Sequence, residues 1–172
     1  MDDGVALAKL PACGLLNLRM PTGAAAMPSV AKVLGIALPD APCTYAAGTA
    51  VAAYWLAPGE WLVAVTAGAE DGFEDRLRSV LDGAGAVVDV SAGYVRYNLH
   101  GPAAAELLMK ACPYDFDRRN FGPGRCVQTV FAKTTAMVAA GEDASFDLAI
   151  RRSYADYFER WTADATAGPG QR

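Results

Sequence analysis

Histidine is nearly absent from these 172 residues, and the single one, His100, has no Cys, Ser or carboxylate motif beside it. A general base needs a partner to orient it or to be activated by it, so His100, directly before Gly101-Pro102, reads as a strand-end structural residue. Paired cysteines are missing too. Cys13, Cys43, Cys112 and Cys126 lie far apart with no C-x-x-C among them, which excludes zinc-finger spacing and argues against a secreted disulfide framework. They read as buried free thiols in a reducing compartment, and the expected localisation is cytoplasmic. Positive charge is not in excess: 15 Lys and Arg stand against 19 Asp and Glu, a net charge of -4. Such a chain has no electrostatic reason to hold nucleic acid or an anionic membrane surface. The hydrophobic fraction is 53%, much of it alanine, yet no run of about 18 apolar residues suits a membrane span. Met1-Asp2-Asp3 is acidic where a signal peptide carries positive charge.

Signatures of chemistry are missing as well. There is no G-x-S-x-G, no P-loop, and no G-x-G-x-x-G following a strand. Asp115 and Asp117 resemble a pair for a metal or for acid–base work. Arg118 and Arg119 follow at once, so a local ion-pair cluster in a loop is the expectation. No catalytic residue, cofactor site or metal site is expected on this chain.

What is present is an alternation of short strands and helices. Residues 12–19 read as a strand, and 26–34 as a helix with Pro28 in its first turn and Gly35 past its end. Strands at 48–56 and 60–66 flank Ala57-Pro58-Gly59-Glu60, in which Pro presets φ and Gly supplies φ > 0, the chemistry of a type II turn. From Glu70 to Asp82, Phe73, Leu77, Val80 and Leu81 recur at helical spacing, and Gly83 marks the stop. A strand at 86–90 completes a βαββαβ order, the ferredoxin-like arrangement. The second half echoes the first: a strand at 93–100, a helix from Gly101-Pro102 to Pro113, an irregular stretch 114–125, and strands at 126–131, 135–140 and 145–150. A last helix opens at Ser153, with Asp156 three residues on as an approximate capping box. The expected fold class is α+β, two tandem ferredoxin-like βα units in one domain. Residues 1–11 form an N-terminal extension, 12–165 the domain with halves at 12–90 and 93–165, and 166–172 a flexible tail.

Two groups of aromatic residues call for cover. Trp55 and Trp61 flank the Pro-Gly turn, and their relative facing depends on a hairpin register that sequence does not fix. Tyr154, Tyr157, Phe158 and Trp161 form a stripe along the last helix, to be buried against its own sheet or a partner. These six residues are the candidate partner interface, because large aromatics anchor both cores and interfaces.

An ordered series of segments resembles the gamma-subunit family of heterotetrameric sarcosine oxidase. It runs Asn17-Leu18-Arg19, Leu34-Gly35-Ile36-Ala37-Leu38-Pro39, and Trp55-Leu56-Ala57-Pro58-Gly59-Glu60-Trp61-Leu62, the last close to the family's Trp-Leu-Gly-Pro-Asp-Glu-Trp-Leu. Then come Val88-Asp89-Val90-Ser91, Gly101-Pro102-Ala103-Ala104, Cys112-Pro113-Tyr114-Asp115, Phe121-Gly122-Pro123-Gly124, Gln128-Thr129 and Arg151-Arg152-Ser153-Tyr154-Ala155-Asp156-Tyr157. Ala57 stands where Gly is usual and Gly59 where Asp is usual. The resemblance implies a fold like the folate-binding part of T-protein and a non-catalytic accessory role beside alpha, beta and delta subunits. It implies an assembly holding FAD, FMN, NAD and zinc, which oxidatively demethylates sarcosine or a related N-methyl amino acid and passes the one-carbon unit to tetrahydrofolate. The alternative is a free-standing folate-binding protein of the T-protein or YgfZ type. Against it, Pro123-Gly124-Arg125-Cys126-Val127-Gln128-Thr129 lacks the Lys, the second Gly and the terminal acid of the YgfZ stretch. A carboxylate there would be the natural two-point acceptor for a pterin edge.

Overall fold

The computed structural model describes residues 4–167. In chain order the elements are β1 (Ala6–Lys9), β2 (Gly14–Arg19), α1 (Met27–Leu34), β3 (Tyr45–Ala47), β4 (Val51–Ala57), β5 (Glu60–Val65), α2 (Glu70–Leu81) and β6 (Ala86–Asp89). There follow β7 (Tyr94–His100), α3 (Ala104–Ala111), β8 (Cys126–Phe131), β9 (Thr134–Ala140), β10 (Ser145–Arg151) and α4 (Ala155–Thr166). The chain divides into two compact units, Ala12–Ala92 and Met1–Pro11 with Gly93–Arg172. Of the tail expected at 166–172, residues 168–172 lie outside the described residues.

In the unit Ala12–Ala92 the sheet order is β3-β4-β5-β2-β6, with every pair antiparallel. Alternation decides which side is buried. Leu16 and Leu18 of β2, Trp61, Val63 and Val65 of β5, Val51 and Ala53 of β4 and Val87 of β6 form one core with Val30 and Leu34 of α1 and Leu77 and Leu81 of α2. Pro28 sits in the first turn of α1, and Gly35 ends it at φ 71 with its N–H on Ala31 O. In α2, Glu70 and Asp71 occupy the first turn and Arg78 bonds Glu74 one turn back at 2.5 Å. The left-handed stop comes one residue before the expected glycine: Asp82 has φ 44 and Gly83 follows at φ 79. Aspartate tolerates that region better than most residues.

The other unit has the order β1-β7-β10-β9-β8, again antiparallel throughout. Its inward face carries Tyr97, Leu99, Phe146, Leu148, Ile150 and Val138, all buried. The two sheets match strand for strand except at one edge. In the first unit β6 follows α2 and lies beside β2; in the second the corresponding place, beside β7, is taken by β1, from the opposite end of the sequence. The residues expected as an extension therefore include an edge strand. Periodicity missed β1 and β3 because they are four and three residues long, mostly exposed or half-buried, and carry no β-branched residue.

The last helix needs one correction. Arg152–Tyr154 forms a short 3-10 turn and α4 starts at Ala155, with Tyr154 at the cap position and no side-chain cap bond. Ser153 lies inside that turn, where its hydroxyl does not cap the helix, so the capping box is not made. Asp156 instead pairs with Arg160 at 3.1 Å.

Candidate subunit interface

The groups that resemble catalytic ones are all held by structural partners. His100 closes β7 with Nδ1 3.1 Å from Asn98 Oδ1, and Asn98 donates to Asp147 Oδ1 at 2.8 Å. Asp117 accepts two bonds from the Arg119 guanidinium, at 2.9 and 2.8 Å. That fork and the Arg119 N–H hold its carboxyl down at about 2. Asp115 accepts from the Asp117 N–H and from Asn120 Nδ2. This is the local ion-pair loop expected from the sequence. Among the described residues no group of three or more His, Cys, Asp or Glu is placed to hold a metal.

The four cysteines divide by burial. Cys112 and Cys126 are buried, Cys13 and Cys43 half-buried, and none is in a disulfide. Burial pushes the Cys112 thiol up to about 12. At pH 8 its thiolate fraction is therefore about one in ten thousand, and the thiolate is the reactive form. Maleimide labelling of the native chain at pH 8 is expected to reach Cys13 and Cys43 well before Cys112 and Cys126. Mass spectrometry of the labelled peptides reads the order, and early labelling of Cys112 contradicts the packing. The sign for stability is equally definite. Because the folded thiol titrates above the ordinary value, its contribution is complete below about pH 9 and is lost as pH rises toward 12.

The hairpin shows what its tryptophans do. Gly59, at φ 75, supplies the positive φ expected of the turn. Trp55 pairs directly with Trp61, so both rings lie on the helix-covered face of the sheet. Trp61 is 2% exposed, and its Nε1 donates to Pro39 O at 2.8 Å. It belongs to this chain's core and offers nothing to a partner. Trp55 packs on the same core while remaining half-buried. Beside the turn lies an open cleft of about 550 Å3 between Arg19–Pro21, Pro58–Glu60 and Gly85–Ala86. Glu60 is fixed at its rim, accepting from Asn17 Nδ2 at 2.8 Å and from Arg19 at 2.9 Å.

The stripe on α4 also divides. Phe158 is fully buried, with ring centroids 4.8 Å from both Tyr97 and Phe131. It is core, which removes it from the candidate interface. Trp161 meets Phe131 edge-on at 4.9 Å and is half-buried. Tyr97 donates to Glu159 at 2.6 Å, and burial with that neighbouring carboxylate raises its pKa. Around the start of α4 the aromatics turn outward. Tyr154 is 43% exposed and meets Tyr157 edge-on at 6.5 Å. The Arg151 guanidinium stacks 4.5 Å over Tyr94, and Arg152 donates to Tyr94 O at 3.0 Å. Tyr94, Arg151, Arg152, Tyr154 and Tyr157 thus form a surface patch of the residue types that dominate interface energetics. Sequence reading took the two tyrosines of the helix and missed Tyr94, Arg151 and Arg152. The cross-strand pairing Arg151↔Tyr94 assembles them, and 57 positions separate the two in the chain.

The comparisons with known proteins agree with one another. The model of the sarcosine oxidase, gamma subunit family matches residues 20–168. Sarcosine oxidase subunit gamma from Corynebacterium sp. (strain U-96) is 34% identical over 158 residues, covering 87% of this chain and 73% of that one. A chain of the heterotetrameric sarcosine oxidase from Corynebacterium sp. U-96, solved in complex with pyrrole 2-carboxylate, superposes with a TM-score of 0.89 at 30% identity, covering 96% of this chain and 85% of that one. The glycine cleavage system aminomethyltransferase T from Bartonella henselae shares the fold alone, with a TM-score of 0.66 at 16% identity over 92% of this chain and 45% of its own. The α+β architecture with two sheets is thus that of the T-protein's matching region, and the chain belongs to the sarcosine oxidase gamma subunit family.

Proposed function

We propose that this chain is a non-catalytic gamma subunit of a heterotetrameric flavoenzyme that oxidatively demethylates sarcosine or a related N-methyl amino acid. On this reading its two sheets are tandem ferredoxin-like units, and it works in the cytoplasm beside alpha, beta and delta subunits. The assembly as a whole holds FAD, FMN, NAD and zinc and passes the one-carbon unit to tetrahydrofolate; this chain supplies surface. The observation that carries the proposal is the superposition on a chain of a heterotetrameric sarcosine oxidase over 96% of this chain's length. The Tyr94–Arg151–Arg152–Tyr154–Tyr157 patch supports it independently, since Arg151, Arg152 and Tyr154 are exposed, Tyr94 and Tyr157 are half-buried, and all are hot-spot residue types. Among the proposed interface residues, Trp55, Tyr154, Tyr157 and Trp161 retain accessible surface.

The test is co-expression with the other subunits of its own oxidase, followed by size-exclusion chromatography and titration of complex formation. The full set is expected to co-elute and to turn over sarcosine. Tyr154→Ala is expected to weaken assembly by about 2 kcal/mol, roughly thirtyfold. The subunit's own unfolding should shift by no more than about 0.5 kcal/mol, as for an exposed substitution. Assembly untouched by this change moves the interface elsewhere. Stoichiometric micromolar binding of tetrahydrofolate by the lone chain, without assembly, instead favours a free-standing folate protein.

A further inference from the structure

Each sheet leaves two strands at its edges, β1 and β8 in one and β3 and β6 in the other. An open edge is a template for another chain, and proteins blunt such edges with brevity, charge or proline. Three of these four are blunted. β3 has three residues; β1 has four and ends on Lys9; β6 has four and ends on Asp89. β8 differs, with six residues, Cys-Val-Gln-Thr-Val-Phe, and no charge, proline or glycine among them.

Its hydrogen-bonding phase follows from the two-residue loop Ala132-Lys133. Phe131↔Thr134 closes the hairpin, and in an antiparallel pair bonded and non-bonded positions alternate. Thr129 and Val127 therefore bond β9 as Phe131 does, and the Ala140 N–H to Arg125 O bond of 2.9 Å falls on the same phase. The N–H and C=O of Gln128 and Val130 point the other way, into the edge. No backbone partner for them occurs among the described residues. Both side chains are exposed, Val130 by 48%. The hairpin tip is anchored, since the Ala132 N–H donates to Ala111 O at the end of α3 at 2.8 Å.

We infer that the Gln128–Val130 edge of β8 receives an extended segment of another subunit, carrying an acidic residue, which adds to the sheet as a sixth strand. This rests on the gamma-subunit reading and adds a second contact to the Tyr–Arg patch. Charge selects the occupant. Lys133, at the tip of the β8–β9 hairpin, has no ion pair among the described residues. A second copy paired about Thr129 fits poorly. A two-fold pairing is antiparallel, and centred on Thr129 it sets Lys133 opposite Arg125 at both ends. Like charges facing each other across strands destabilise the pair, whereas an acid opposite Lys133 favours it.

The test is amide hydrogen exchange at single-residue resolution on the full chain, alone and in the assembled oxidase. The amides of Val127, Thr129 and Phe131 should be protected in both. Those of Gln128 and Val130 should exchange freely in the lone chain and slow on the order of a hundredfold in the complex. Gln128→Pro removes an N–H that β9 does not use, so the chain's own ladder survives. It should weaken assembly about tenfold, the effect of one interfacial hydrogen bond, without changing the chain's Tm. Free exchange at Gln128 and Val130 in an assembled wild-type complex overturns the inference and leaves the subunit reading standing. Failure of the wild-type chain to assemble removes both. Concentration-dependent protection of these amides in the lone chain assigns the edge to a second copy and overturns the inference too.

Discussion

Trp61→Ala is expected to cost about 3–5 kcal/mol of folding stability, the range for removing a fully enclosed large aromatic from a core. The ring is 2% exposed and shares one buried core with Leu18, Val30, Leu34 and Val63. The change also strips the donor from Pro39 O, which Nε1 reaches at 2.8 Å. A domain of this size has a total stability of about 5–15 kcal/mol, so the variant sits close to unfolding. Trp55→Ala is the control. It lies directly across the hairpin on the same face but half-buried, and its cost is expected at about 1–2 kcal/mol. Urea denaturation of the lone subunit, comparing midpoints at constant slope, measures both. Equal losses for the two tryptophans contradict the asymmetry of burial. Trp61→Phe keeps most of the ring and loses only the donor, so it separates packing from the hydrogen bond.

The shared facing of the two tryptophans was hidden in the sequence for a definite reason. The loop Pro58-Gly59 pairs Ala57 with Glu60, and an unbroken ladder from there sets Trp55 opposite Leu62 and puts the tryptophans on opposite faces. A register shift between Trp55 and Ala57 moves the pairing by one, so Trp55 meets Trp61 and both rings turn inward. Nothing in Trp-Leu-Ala-Pro-Gly-Glu-Trp marks that bulge. The turn itself was legible, because Pro followed by Gly dictates its backbone.

Legibility elsewhere followed the strength of the local pattern. Helices α1 to α3 and strands β4, β5 and β7 to β10 were within a few residues of their expected bounds, since each has clear periodicity or a Gly or Pro at its end. β1 and β3 gave no pattern because edge strands this short bury little. The surface patch was half legible. Its aromatics on α4 repeat at helical spacing, but Tyr94 and Arg151 become neighbours only through β7 pairing with β10. Long-range pairing of that kind is a property of the sheet and has no local signature.

The second large effect is expected at Phe158, where helix and sheet of the second unit are joined. Phe158→Ala should destabilise the lone chain by about 3–5 kcal/mol. Its ring is fully enclosed and lies 4.8 Å from both Tyr97 on β7 and Phe131 on the edge strand β8, bridging two strands that β10 and β9 separate in the sheet. Aromatic pairs in such geometry add about 0.5–1.5 kcal/mol beyond the area they bury. The loss should also spread, because Tyr97 is held in place partly by donating to Glu159, the next residue of the same helix, at 2.6 Å. Thermal unfolding followed by near-ultraviolet circular dichroism reads both the midpoint and the tyrosine signal, and both should fall together. Trp161→Ala, one turn on and half-buried against Phe131 at 4.9 Å, should cost the fold less than half as much. If Trp161 proves costlier to the lone chain than Phe158, the packing of α4 is rotated about its axis from that described. Tyr154 and Tyr157 would then turn inward, and the patch proposed to meet the partner subunit would lose the side chains that define it.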